Sequence, residues 1–177
     1  IHLINCVAHL KRAIDCQLDI NLYALNIYKI FQKSNLKFAR KLEFFRDIGI
    51  FNSRTLERFN NVRNKMEHYY SIPKFEDIEV YFDLVTAFVA LLESMLRQLI
   101  NMSEINLGNR DTDNEILTIQ YVYDEPKIAV VLGVELIEAQ ANVKEDRECF
   151  LYFLKLLLLF YKRENFSTNE HLLRELK

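Results

Sequence analysis

The chain has 177 residues, half of them apolar and 12% aromatic, enough for one well-filled core and too hydrophobic for an intrinsically disordered protein. Three glycines and two prolines are too few for an all-β fold built on tight turns. The net charge of −2 excludes a broadly basic nucleic-acid coat.

The first helix is expected over about 2–18, with Leu3, Val7, Leu10, Ile14 and Leu18 at helical spacing. From Asp19 to Phe31 the apolar phase slips, which predicts a bend or a short second helix. Lys33-Ser34-Asn35 punctuates the chain. A helix then runs about 36–48 and ends near Gly49 as its C-cap. Asn52 or Ser53 caps a further helix through about Tyr69, and Pro73 stops it. A long helix follows over about 75–102, with Ile78, Phe82, Val85, Val89, Leu92, Leu96 and Leu99 on its buried face.

Residues 103–114 read as a linker. Beyond them the period becomes two. Leu117, Ile119, Tyr121 and Tyr123 alternate, then Ile128 through Leu136, with Asp124-Glu125-Pro126-Lys127 as the turn of a β-hairpin. A helix over about 144–162 closes a ββα unit, expected over 115–177. Its second half is apolar almost all round and so needs partners on several sides. Cys6, Cys16 and Cys149 make no C-x-x-C pair, as expected of reduced thiols in a cytoplasmic protein. No secretory signal or membrane span is expected.

Charge is unevenly distributed. Lys29 to Lys65 holds ten basic and three acidic residues, a local +7, whereas Met66 to Lys177 holds eleven and twenty, a local −9. Lys29, Lys33, Lys37 and Lys41 recur every four residues and would form a basic ridge on a continuous helix. Lys37, Lys41 and Lys65 are therefore candidate contacts for an RNA backbone. Asp15 and Asp19, with His2 and His9, are at helical spacing but read as helix surface rather than as metal ligands.

The segment Arg63-Asn64-Lys65-Met66-Glu67-His68-Tyr69-Tyr70 carries the chemistry. At 100° per residue Phe59, Val62, Met66 and Tyr69 make the core face, while Asn60, Asn61, Asn64 and His68 lie nearly opposite. Histidine suits the transfer of a 2′-hydroxyl proton and protonation of a leaving 5′-oxygen, and arginine suits the phosphorane charge. One segment supplies one of each, so a complete site requires two copies across an isologous interface.

Arg63-Asn64-x-x-x-His68, followed by Pro73 and a long amphipathic helix, resembles the HEPN (higher eukaryotes and prokaryotes nucleotide-binding) domain over about residues 1–102. The resemblance implies a mainly α fold, an antiparallel helical bundle with the β-hairpin and helix as a C-terminal appendage. It implies homodimerisation through the motif helix and often a metal-independent endoribonuclease of toxin–antitoxin or antiviral defence systems, with no cofactor. Arg63 and His68 match the catalytic pair, and Asn64 the polar residue that orients the site. Tyr70 matches the tyrosine of the Arg-x4-His-x-Tyr subgroup, which a partner nucleotidyltransferase can adenylylate; an antitoxin is the other implied partner. The alternative is a non-catalytic module that uses the amide face to bind a nucleotide, RNA or a protein. A third reading has the acidic ββα unit covering the basic region in cis.

Overall fold

The computed structural model of the protein describes residues 2–32, 37–51, 54, 61, 64, 75–101, 103–108, 115–166 and 174. Its elements are helices α1 (His2–Ala24), α2 (Tyr28–Gln32), α3 (Phe38–Asp47), α4 (Phe75–Asn101) and α5 (Arg147–Phe166). The strands are β1 (Glu104–Gly108), β2 (Glu115–Val122), β3 (Lys127–Leu132) and β4 (Glu135–Gln140). Helices dominate, and the strands form one antiparallel meander in the order β1-β2-β3-β4.

α1 continues past Leu18 because Asn21 and Leu22 extend its buried stripe of Val7, Ile14 and Leu18 by another turn. It ends in a Schellman motif. Asn26 takes the left-handed conformation at φ 53°, its N–H donates to Tyr23 O, and Ile27 N–H donates to Leu22 O. The phase slip read from sequence is thus a helix stop followed by the short α2. α3 ends the same way at the expected residue: Gly49 has φ 77°, its N–H donates to Arg46 O, and Ile50 N–H donates to Phe45 O.

Two expectations for the C-terminal half are corrected. Residues 104–108 of the expected linker are β1, paired with β2 in the register Ile105↔Ile119. The long second alternation is two strands. Gly133, at φ 62°, turns the chain so that Leu132 pairs with Glu135, a two-residue hairpin turn with glycine first. The turn breaks the alternation: Leu136 pairs with Val131 and shares its face, opposite to that of Leu132. The hairpin is therefore a four-stranded sheet, and α5 packs on β2, β3 and β4.

α1 and α4 form the main helix pair. Their N-terminal halves line a common groove, and their C-terminal ends meet Tyr121 and Tyr123, at and just past the end of β2, so they run in the same direction rather than antiparallel. Tyr121 donates its hydroxyl to Leu25 O at 2.7 Å, and Tyr123 donates to Leu99 O at 2.6 Å. Asn26 Nδ2 adds a bond to Tyr123 O at 2.8 Å. Helix-end carbonyls lack an intrahelical partner, and neither α1 nor α4 has a basic residue in its last turn. The Tyr121 and Tyr123 hydroxyls supply the missing donors. Burial first, then the neighbouring Tyr123, pushes the Tyr121 phenol well above its ordinary range, so it remains a donor. One apolar cluster runs from Val7 and Leu22 through Leu92 and Leu99 to Ile119, Ile128, Phe150 and Leu157, so sheet and helices share a core.

Tyr121→Phe removes the donor and leaves Leu25 O buried beside the aromatic ring. We expect a loss of about 1–2 kcal/mol in urea unfolding without a change in secondary structure by circular dichroism.

Candidate functional site

Arg63, Lys65, His68 and Tyr70 lie outside the described residues. Their neighbours Asn61 and Asn64 are in helical backbone, as is Arg54. Asn61 and Arg54 are exposed, and Asn64 is half-buried and engaged in a contact. The helical state at 54, 61 and 64 accords with the helix read through this stretch.

The basic ridge is not formed. α2 ends at Gln32, and Lys37 is the extended N-cap of α3 (φ −72°, ψ 149°), so Lys29 and Lys37 are not on one helix. Lys37 is exposed and remains available to an anion. Lys41 is buried, with 8% of its side chain exposed, and its ammonium lies 2.7 Å from Asp15 Oδ1 and 2.6 Å from Asp19 Oδ1. It is an internal cation whose charge is taken up by α1. Arg46 is paired with Glu43 and Asp47. The exposed positive charge of this region therefore comes from residues such as Lys29, Lys37 and Arg54.

Asp15 and Asp19 face inward to hold Lys41, so they are neither plain helix surface nor the start of a metal site. No group of three or more His, Cys, Asp or Glu among the described residues is placed to hold a metal. Asp15 also accepts from Lys11 at 3.0 Å, and Lys11 sits over the Phe38 ring at 5.1 Å. Burial acts to raise the Asp15 pKa, but the hydrogen bonds and charges of Lys41 and Lys11 outweigh it and hold the carboxyl below its ordinary value. Burial likewise acts to lower Lys41, and Asp15 and Asp19 more than reverse it. The sequence signal was present in the Asp15–Asp19 spacing, but the partner is 26 residues away in the chain.

A groove of about 820 Å³ opens between the N-terminal halves of α1 and α4. Leu10, Ala13, Ile78 and Phe82 make its apolar walls; His9, Glu79 and Asp83 supply its polar rim. Phe82, expected in the core, is 58% exposed at the groove mouth. The groove was not legible in the sequence because it depends on which faces of two helices, brought together from more than 60 residues apart, stay open among the described residues. No helix among the described residues is long and apolar enough to cross a membrane.

Comparison with protein-family models, with curated proteins and with solved structures returns no match. The functional assignment rests on the residues themselves.

Lys41→Met keeps the buried stem and removes the charge, leaving two carboxylates facing each other. We expect a loss of about 2 kcal/mol, below the full buried-pair value because both acids are partly exposed. The wild-type advantage should be constant near neutral pH. It should shrink at low pH as Asp15, whose pKa is depressed on folding, becomes protonated. It should shrink again at high pH as Lys41, whose pKa is raised on folding, loses its proton. Urea titrations of both proteins across pH check this.

Proposed function

We propose that the protein is a metal-independent endoribonuclease of the HEPN type, acting as a homodimer with a composite site built from the Arg63–His68 helix of each subunit. The observation that carries the reading is the Arg63-Asn64-x-x-x-His68 spacing in a stretch whose described residues are helical, with Asn61 exposed. In this reading the His68 imidazole of one subunit takes the proton of the RNA 2′-hydroxyl. The new oxygen–phosphorus bond forms as the bond to the 5′-oxygen breaks, and His68 of the partner subunit protonates that leaving oxygen. Arg63 holds the non-bridging oxygens, with donors fixed in a plane that matches phosphate. The products are a 2′,3′-cyclic phosphate and a 5′-hydroxyl end. Asn64 positions the segment, and Lys37 and Lys65 guide the backbone. A toxin or defence effector of this type would be restrained by an antitoxin, or by a nucleotidyltransferase that modifies Tyr70.

A second reading is a non-catalytic module that binds RNA, a nucleotide or a protein, and its protein-binding form is favoured by one observation. Lys41 is neutralised in the interior and Arg46 is paired at the surface with Glu43 and Asp47, so the region offers less unpaired charge to phosphate than its composition implies. The idea that the sheet restrains a nuclease in cis has less support, because Ile119, Tyr121 and Ile128 belong to the same core as α1 and α4.

Purified protein incubated with RNA in excess chelator should give cyclic-phosphate ends. His68→Ala and Arg63→Ala should each reduce cleavage by about a hundredfold or more. Cleavage that needs added metal, or that survives both substitutions, contradicts the nuclease reading. An inactive wild type that still binds RNA supports the module.

A further inference from the structure

α1 carries two stripes. The inward one, Val7, Ile14, Leu18 and Leu22, belongs to the core. The second, Cys6, His9, Ala13, Cys16, Ile20 and Tyr23, is exposed along its whole length. Its steps alternate between three and four residues, the spacing of a two-helix seam, over about 26 Å of helix. None of its six residues is an acid, a lysine or an arginine; Arg12 and Asp19 lie on one flank of the seam, while Lys11 and Asp15 face α3.

The two ends of the seam differ in shape. At the C-terminal end, Ile20 is 45% and Tyr23 58% exposed, two large side chains projecting together. Tyr23 is held in place by the Tyr28 ring, stacked on it at 3.9 Å between centroids and 16° between planes. At the N-terminal end, Cys6, His9 and Ala13 border the groove against Ile78 and Phe82. One helix thus bears a rigid projection at one end and an open recess at the other.

We propose that this face is a self-association surface, on which α1 of a second copy of the chain packs antiparallel to α1 about a twofold axis between Ile14 and Asp15. Antiparallel packing of the seam sets Tyr23 against the partner's Cys6, Ile20 against the partner's His9, and Ala13 against the partner's Cys16. Each projection enters the other copy's groove, where Glu79 and Asp83 offer carboxylates to the phenol. The small central pair lets the helices approach closely. Charge agrees with the register: exposed Arg12 falls within two residues of the level of the partner's Asp19, whose side chain is 28% exposed while its Oδ1 meets Lys41, and the pair occurs twice by symmetry. A parallel seam would set Tyr23 against Tyr23, leave both grooves empty and lose both ion pairs. The surface involves α1 and α4 alone, so it stands whether or not the chain cleaves RNA.

The test combines solution mass with cross-linking. Sedimentation equilibrium of the wild type should show reversible self-association, extending beyond the dimer if the Arg63–His68 interface also forms, and Tyr23→Asp should weaken the α1 step about tenfold or more. Ala13→Cys should form a disulfide-linked dimer on mild oxidation, and adding Cys16→Ser should abolish it. Circular dichroism should show the variants folded, since Ala13, Cys16 and Tyr23 are all exposed. A wild type that remains monomeric, or a dimer indifferent to Tyr23→Asp, overturns the proposal. Efficient Cys16–Cys16 linkage in the wild type indicates a parallel seam and also overturns it.

Discussion

A parallel pair of helices places like ends together. The C-terminal carbonyls of α1 and α4 converge at one end of the molecule, and no lysine or arginine lies in either last turn to offset them. The end of β2 and the turn after it resolve this with the hydroxyls of Tyr121 and Tyr123, one on each helix, while Asn26 returns a bond from the α1 terminus to Tyr123 O in the turn. Removing the sheet would leave Leu25 O and Leu99 O without these donors and expose the apolar ends of both helices. The C-terminal sheet therefore completes the helical part instead of hanging from it.

At the other side of α1, polarity is managed by charge. Asp15 and Asp19 accept Lys41 across the α1–α3 contact, and Lys11 closes over Phe38. This fixes α3 on α1 at a cost in desolvation, which is recovered only because two carboxylates face one ammonium. It also removes Lys41 from the surface. The electrostatic case for RNA binding is correspondingly narrower than the local charge count implies, and rests on Lys29, Lys37, Arg54 and the motif segment itself.

Most helices were legible because their signals are local. Gly49 marked the end of α3 because glycine adopts positive φ without strain, and Pro73 and the apolar period marked α4. Asn26 performs the same task at the end of α1 but gives a weaker signal, since asparagine enters the left-handed region less readily. Gly133 was passed over because Val134 and Leu136 carry the apparent alternation across the turn. β1 was hidden in a polar segment whose strand state depends on pairing with β2. Lys41 reads as a surface lysine until α1 and α3 are packed together. Of the candidate site, the Arg63–His68 spacing was legible, and the structure adds the helical state of Asn61 and Asn64.

The central claim is that sheet and helices form one cooperative unit, joined at Tyr121 and Tyr123. Native-state hydrogen exchange measures this directly. Amides of Ile119, Tyr121 and Val130 should open with the same free energy as those of Ile14, Leu18 and Leu92, equal to that of global unfolding. Exchange of the strand amides at a clearly lower free energy, with α1 and α4 still protected, would contradict the account and restore the sheet to an independent appendage.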